Sequence, residues 1–273
     1  MKTYLIPVDF SSHSLQTLRY AAQLAKSTQA RLCLLHAYML PTPVTEVPYI
    51  MAPTEALHRD REQQLNAEAK QLETDYGLKC TTVVRLGIPS DEIREFIEKN
   101  NPDLVIMGMK SPGGLGTLIG STTISLIRKT QVPLLIIPEE SSFSELREIV
   151  YATDFRDTLS ASVFTPLFAL TPASTPKLRI LYVQTLHSPE PDELLPGKKL
   201  LELAFQNYPH DYQKIESRNV TEGVNENLLK IPADLLVMVA HPHGFLEHFF
   251  IKNHTAAMAY ETSIPLLILH DKV

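Results

Sequence analysis

The sequence predicts an α/β protein made of two tandem doubly wound domains, each with a five-stranded, mostly parallel sheet. The chain has 273 residues, a length that suits about two domains of ~100–200 residues each. Short blocks of sequence recur in the same order in both halves. Apolar strand-like segments alternate with helical ones, and this alternation is typical of parallel sheets covered by helices on both faces.

Four matched blocks carry the internal repeat. They are 6–10 with 151–155, 32–35 with 178–181, 103–107 with 234–238, and 130–137 with 262–269. The offset between matched positions falls from 145 residues at Asp9 and Asp154 to 131 at Asp103 and Asp234. The second copy is therefore 14 residues shorter between its first and fourth strands.

The repeat divides the chain into a first domain over residues 1–140 and a second over residues 147–273. Residues 139–147 are polar, follow one strand and precede another, as a short linker between domains would. We expect a separate sheet in each domain and a pseudo-twofold relation between the copies. We also expect the fifth strands, Val132–Pro138 and Ile264–His270, to pair across the interface, because each would otherwise leave an exposed edge.

The first copy reads as β-α-β-α-β-α-β-α-β. The predicted strands are Tyr4–Val8, Arg31–Tyr38, Cys80–Leu86, Leu104–Met107 and Val132–Pro138. The predicted helices are Ser11–Lys26 with Ser11 or Ser12 as N-cap, Glu55–Tyr76 ending at Gly77, a helix capped by Ser90 that runs to Asn100, and Thr122–Thr130. In such a doubly wound sheet, ligands bind outside the carboxyl ends of the strands, where the strand order reverses.

Composition argues against two classes of partner. The net charge is −6 and the pI about 5.9, so the chain lacks the basic footprint of a nucleic-acid-binding protein. No run approaches the 18 or so apolar residues of a membrane span, and the first residues do not read as a signal peptide. We therefore expect a cytoplasmic protein with Cys33 and Cys80 as reduced thiols.

A glycine-rich loop follows the fourth strand. Residues 107–122 hold five of the ten glycines of the chain. Glycine lets backbone N–H groups approach phosphate oxygens closely, and the helix that starts at Gly120-Ser121 adds unpaired donors and a partial positive charge. The pattern favours phosphate binding, with a flexible loop before a capped helix as the alternative.

The arrangement resembles the universal stress protein family over nearly the whole chain, in both copies. The resemblance is carried by Val8-Asp9-Phe10-Ser11, Leu34-Leu35-His36-Ala37, the segment from Asp103 to Gly108, Gly120-Ser121, and Val132-Pro133-Leu134-Leu135. It implies a Rossmann-like domain of the adenine nucleotide α-hydrolase kind. It also implies ATP or another adenine nucleotide as ligand, with Mg²⁺ held through the phosphates and no obligatory cofactor.

The resemblance implies a binding site of eight residues: Asp9, Ala37, Met107, Gly108, Ser111, Gly120, Ser121 and Thr122. The resemblance implies that Asp9 contacts the ribose or adenine side, and that the backbone of Ala37 bonds adenine. Asp9 has an alternative role as a local cap for the first helix. Ser111 stands where the family has its second glycine, and the loop is one residue short.

The second copy has lost the phosphate-loop glycines. Val239, Pro242, Lys252 and Asn253 stand at the positions of Gly108, Ser111, Gly120 and Ser121. The segment also holds His241, His243, His248 and His254, whose spacing matches no ligand motif, so we expect no metal site. Nucleotide is therefore expected in the first copy alone.

Three functions remain open on the sequence. The first is a stress protein that binds adenine nucleotide in copy one. The second is a dimerisation or interaction protein that binds no nucleotide, and the third is an enzyme of a related fold. No pyrophosphatase loop, catalytic motif or nucleophile elbow supports the third, so we expect no efficient ATP hydrolysis. The expected assembly is an intramolecular pseudo-dimer, with a homodimer of chains as a further option.

Overall fold

Strands and helices alternate along the whole chain in the computed structural model, which describes residues 1–40, 54–109, 121–155, 160–171, 175–186, 195–240 and 264–271. The strands are β1 Thr3–Pro7, β2 Arg31–Tyr38, β3 Cys80–Leu86, β4 Leu104–Met109, β5 Leu134–Pro138, β6 Glu148–Thr153, β7 Lys177–Gln184, β8 His210–Glu216, β9 Leu235–Ala240 and β10 Leu266–His270. The helices are α1 Ser12–Thr28, α2 Thr54–Tyr76, α3 Pro89–Asn100, α4 Ser121–Lys129, α5 Thr165–Phe168, α6 Leu195–Phe205 and α7 Val220–Lys230, with a 3₁₀ helix over Ala161–Phe164.

The strands form one sheet in the order β3-β2-β1-β4-β5-β10-β9-β6-β7-β8. Within each half every recorded strand pair is parallel. Each half has the same internal order, with its first strand in the middle and its third strand at the outer edge. The predicted α/β class, the two doubly wound halves and the five parallel strands of each half are therefore confirmed.

The two halves join through β5 and β10. These strands pair antiparallel, with Leu135 opposite Leu267 and Leu134 opposite Ile268. The predicted pairing of the fifth strands is confirmed, but the expectation of two separate sheets is wrong. Two apolar edges that pair side by side satisfy each other's backbone groups, and in doing so they make the sheet continuous.

Buried side chains cover both faces of the sheet. Along β1, Tyr4 and Ile6 lie in one apolar core and Leu5 lies in the other. Both cores continue across the seam, since Leu135 and Leu267 share the first core and Leu134 and Ile268 share the second. The nearly unbroken apolar strands of the sequence reflect this burial on both sides.

The bounds of β2 and β3 agree with prediction, but the start of α3 does not. Ser90 was expected to cap this helix, and that expectation is wrong. The helix begins at Pro89, after an N-cap at Ile88 that makes no side-chain bond. Proline suits the first helical position because the N–H that it lacks would have no partner in the helix.

Helices of the second half are shorter. The segment after β6 has a 3₁₀ helix and a four-residue α5 where the first half has the 17-residue α1. Likewise α6 has 11 residues and α2 has 23. In the described residues the helices at both places are shorter in the second copy, while the strand order is the same in both copies.

The linker between the halves lies against α1. Ser141 is buried and accepts a hydrogen bond from Gln16 Nε2 on its carbonyl oxygen at 3.3 Å. Phe143 packs edge to face on Tyr20, with ring centroids 5.4 Å apart. The segment is thus part of the packed structure, and the domain limits at residues 140 and 147 stay a prediction.

Candidate functional site

A cavity of about 400 Å³ opens at the carboxyl ends of β1 and β4. These neighbouring strands are where the strand order of the first half reverses, so the cavity lies where a doubly wound sheet is expected to bind ligands. Five of the eight predicted site residues line it: Asp9, Ala37, Met107, Gly108 and Thr122. Ser111 and Gly120 lie outside the described residues. Ser121 is placed as the first residue of α4.

Asp9 is held in a network at the start of α1. Its Oδ1 accepts hydrogen bonds from the backbone N–H of Ser11 at 2.9 Å and from the Ser11 hydroxyl at 2.6 Å. Ser11 in turn caps α1 by accepting the N–H of Ser14 at 3.2 Å. Asp9 therefore supports the helix cap, as the alternative from sequence proposed, and it also lines the cavity.

The turn between β1 and α1 needs an unusual backbone. Phe10 has φ of 61°, in the left-handed region, and its ring packs 4.6 Å from that of His36. His36 is buried, and its Nδ1 lies 2.7 Å from the carbonyl oxygen of Val8. Burial is the main cause that lowers the pKa of His36, so the ring is neutral at neutral pH. This packing fixes the corner from which Asp9 reaches the cavity.

Gly108 lies where β4 approaches α1. A Cβ at this position would meet Thr17 Oγ1 at 2.6 Å and would lie still closer to His13 Nε2. The glycine is thus needed for close packing of the helix on the strand, whatever its role toward a ligand. His13 is buried in the first turn of α1 and lines the cavity, and the sequence did not identify it.

One end of the cavity is apolar. Leu35 and Ala37 of β2 face Pro89 and Ile93 of α3 across it. The pairing of β2 with β1 ends at Leu35 and Pro7, and Val8 then donates its N–H to Leu35. Residues of a parallel strand direct their backbone groups alternately to the two neighbours, so Ala37 directs its N–H and C=O to the same side as Leu35. Those groups point beyond the last paired residue of β1, toward the cavity.

The other end lies at the start of α4. Thr122 lines the cavity, and so does the buried Thr123, which the sequence did not single out. Two helix N-termini, those of α1 and α4, therefore meet the same cavity. Helix N-termini carry unpaired N–H groups and a partial positive charge, which together favour an anion.

The corresponding corner of the second half is filled. Phe155 matches Phe10, has φ of 57°, and packs 5.4 Å from Tyr182. Helix α6 lies directly on this corner, because a Cβ on Gly197 would lie 2.9 Å from the carbonyl carbon of Phe155. Lys198 places its ammonium 5.6 Å from the Phe155 ring.

The second half has a larger side chain at the position of Ala37. Strand registers match Ala37 with Val183, and the helix starts match Ile93 of α3 with Val224 of α7. Val183 Cγ1 would lie 2.6 Å from a Cβ on Gly223, so Val183 packs closely against α7. The structure describes this segment only to Ala240. The four histidines His241, His243, His248 and His254 lie outside the described residues.

The described residues include no group of three or more His, Cys, Asp or Glu side chains that could hold a metal ion. Cys33 is buried and Cys80 partly buried, and the two are not bonded to each other. Among the helices in the described ranges, none is long and apolar enough to cross a membrane.

Comparison with known proteins agrees with this geometry. The model of the universal stress protein family matches residues 1–138. This chain belongs to the universal stress protein family. Universal stress protein MJ0531 of Methanocaldococcus jannaschii is 28% identical over 144 residues, which are 50% of this chain and 81% of that protein. A universal stress protein of Thermus aquaticus, named for its position in the QAH/OAS sulfhydrylase 3' region, is 30% identical over 50% of this chain and 98% of its own length.

The fold extends to the second half as well. The crystal structure of a universal stress protein from Archaeoglobus fulgidus superposes with a TM-score of 0.75 and covers 97% of both chains, at 18% identity. At that identity the likeness concerns the fold alone. It shows that the complete ten-stranded arrangement, with both halves, recurs in this family.

Proposed function

We propose that this universal stress protein binds ATP or another adenine nucleotide in its first half and acts as a regulatory binding protein in the cytoplasm. One observation carries the proposal: a single cavity at the switch point joins the backbone of Ala37, the carboxylate of Asp9, and the starts of α1 and α4. The volume of about 400 Å³ lies within the usual range of small-molecule sites.

The two ends of the cavity suit the two ends of a nucleotide. The apolar walls at Ala37, Pro89 and Ile93 would cover a flat base, while the outward N–H and C=O of Ala37 would bond its edge. The helix N-termini and the hydroxyl of Thr122 would receive phosphate oxygens. Asp9 follows β1, which lies between β2 and β4 in the sheet, and would accept a ribose hydroxyl. Mg²⁺ would then be held through the phosphates, with no obligatory protein cofactor.

We further propose that the protein is no efficient ATPase. Efficient phosphoryl transfer needs a positioned base and groups that stabilise the charge on the transferred phosphoryl. Neither Lys nor Arg stands among the described residues that line the cavity. Asp9, the carboxylate of this lining, is engaged with Ser11.

The halves are proposed to be two domains, residues 1–140 and 147–273, in an intramolecular pseudo-dimer. Their identical strand order and the antiparallel β5–β10 pairing support this arrangement. Val183 stands at the position of Ala37 and packs closely on α7, which supports nucleotide binding in the first half alone. Two chains could also associate as a homodimer. We expect neither a nucleic acid nor a membrane as a partner.

A second candidate is an interaction protein that binds no nucleotide. It is favoured because Asp9 and Gly108, the two residues that most suggest a nucleotide site, have structural roles that need no ligand. Asp9 holds the cap of α1, and Gly108 accommodates His13 and Thr17. Direct binding measurements separate the two candidates.

Titration calorimetry of the full chain with ATP, AMP and GTP tests the proposal. We expect one site per chain for an adenine nucleotide, weaker binding of GTP, and ATP turnover far below the enzyme median of ~10 per second. Mass spectrometry of molecules released from the purified protein identifies a ligand that is already bound. Two equal sites would contradict the asymmetry, and no binding of any nucleotide would favour the interaction protein.

A further inference from the structure

The cavity at the carboxyl ends of β1 and β4 is named the nucleotide cavity after its proposed ligand. A second cavity of about 400 Å³ lies at the seam between the halves, beside the amino ends of β4 and β5. This seam cavity has walls from both halves. The first half contributes residues 101–103 before β4 and 131–133 before β5. The second half contributes residues of its 3₁₀ helix and α5 together with His270 and Asp271 at the end of β10.

The topology explains why the seam cavity lies at this place. Because β10 runs antiparallel to β5, its carboxyl end lies beside the amino end of β5. Parallel strands of the second half present their carboxyl ends on this side, which is the side where doubly wound sheets bind ligands. The second half therefore retains an open space on its ligand side, at the seam and not at the closed corner beside Val183.

The matching place on the other side of the seam is occupied. There the linker follows β5, and its Ser141 and Phe143 pack on Gln16 and Tyr20 of α1. At the seam cavity, the short 3₁₀ helix and α5 replace α1. The cavity thus arises from a difference between the two copies.

The charged groups among the described residues that line the seam cavity are of one sign. Two carboxylates, Asp103 and Asp271, line it, and none of its described lining residues is Lys or Arg. Asp103 accepts the backbone N–H of Thr3 on one oxygen at 2.7 Å. The ammonium of Lys2 is held by the carbonyl oxygen of Ala169 at 3.1 Å, and Lys2 is not a lining residue.

His270 is a neutral residue of the cavity wall. Its Nε2 lies 3.2 Å from the carbonyl oxygen of Ile127, so Nε2 carries the proton and donates. Burial lowers the pKa of His270, against the smaller opposing effect of the carbonyls of Ile127 and Val132, so the ring stays neutral at neutral pH. Nδ1 is then an acceptor, and it is buried without a hydrogen-bond partner in the described part of the chain.

The remaining polar groups are neutral side chains that both donate and accept. They are the amides of Asn101 and Gln131 and the hydroxyls of Ser162 and Thr165. Between them Val132, Pro133, Val163 and Pro166 supply apolar surface. A ligand that matches these walls carries positive charge, several N–H donors and a short apolar body.

We propose that the seam cavity binds a small organic cation with primary amino groups. An anion such as a nucleotide is disfavoured there by the two carboxylates and by the absence of Lys and Arg from the described lining. An ammonium group supplies three donors for Asp103, Asp271 and the neutral hydroxyls and amides. The aliphatic part of the ligand would lie on Val132 and Pro166.

Calorimetry and ligand-observed NMR with 1,4-diaminobutane as the probe test this proposal on the full chain. We expect saturable binding that weakens with added salt, and no binding of butane-1,4-diol, which has the same length and hydroxyls in place of amines. Asp103→Asn and Asp271→Asn should each weaken binding about two- to fivefold, as expected for partly exposed charge pairs.

Asp234→Asn is the matched control, because Asp234 holds the backbone N–H of Arg147 and Glu148 as Asp103 holds that of Thr3, but it lies outside the seam cavity. Ser162→Trp, at an exposed position of the wall, should block the probe while thermal unfolding shows an intact fold. Equal weakening by Asp234→Asn, equal binding of the diol, or no saturable binding of the diamine at millimolar concentration would each overturn the proposal.

Discussion

The Cα of Gly108 in β4 lies directly against the imidazole of His13 in α1. The contact leaves no room for a side chain, since a Cβ would also come within 2.6 Å of Thr17 Oγ1. Gly108 therefore joins the helix to the strand at the wall of the nucleotide cavity. The same residue that would admit phosphate oxygens also sets the position of the start of α1.

Gly108→Ala should destabilise the protein by about 1–3 kcal/mol, the usual cost of forcing an extra methyl group into a close-packed site. The free energy of unfolding in urea measures this loss. Adding His13→Ala should recover part of it, because the nearest obstructing ring is then removed. An unchanged stability in Gly108→Ala would show that α1 can move away from β4 without cost.

Two histidines should give opposite pH dependences of stability. The pKa of His36 is lowered, mainly by burial, so the folded state prefers the neutral ring. Its contribution is present above the unfolded pKa of ~6.5 and is lost as the pH falls through that value toward the folded pKa. His36→Phe keeps a ring between Phe10 and Tyr38 and should remove this acid sensitivity, as urea unfolding between pH 5 and 8 would reveal.

His210 is the matched control of opposite sign. Its pKa is raised, first by the carbonyl of Tyr208 at 2.9 Å and, against the effect of burial, by Glu202 Oε2 at 3.1 Å. Its contribution is fully present below the unfolded pKa and is lost as the pH rises through the folded value. The stability lost in His210→Gln should thus shrink toward high pH. Two variants with the same pH trend would contradict these assignments.

The central strands could be predicted well from the sequence, because a strand buried on both faces is an apolar run, and the partly exposed edge strand β3 could be predicted too. The bounds of β2 and β3 agree residue by residue with the prediction. The start of α3 could not be predicted in the same way, since Ser90 and Pro89 are both suitable residues for a helix start. The continuous sheet was missed although the pairing of β5 with β10 was predicted, because two five-stranded sheets that pair through their edge strands form one sheet.

The candidate site could be predicted where it depends on strand ends. Asp9, Ala37, Met107 and Gly108 all follow from the carboxyl ends of three strands and from the family pattern. Pro89 and Ile93 were missed because their approach to Ala37 depends on the packing of α3 against the sheet.

In the second half, the sequence explained the lost site by the altered loop alone. It missed that the larger Val183 stands at the position of Ala37, although aligning the copies strand by strand would have exposed it.

The close packing of Val183 against Gly223 makes a prediction about the second half. Gly223→Ala should destabilise the protein by about 1–3 kcal/mol, because the added Cβ meets Val183 Cγ1 at 2.6 Å and Ser217 Cβ at 3.0 Å. In a Val183→Ala background the same change should cost less, and a double-mutant cycle on unfolding free energies measures the coupling. Additive effects would mean that the two residues do not compete for one space.

Ala37→Val places the second-half residue in the first half and tests the base end of the nucleotide cavity. The extra methyl groups project toward Ile93, where the base is proposed to lie, so nucleotide binding should be lost. The position lies at a cavity wall and is only partly buried, so stability should change by less than about 1 kcal/mol. Ala37→Gly is the control, since it keeps the backbone N–H and C=O and adds no bulk. Calorimetry with ATP should show binding in the wild type and in Ala37→Gly, and none in Ala37→Val. Normal binding by Ala37→Val would mean that the base does not lie between β2 and α3.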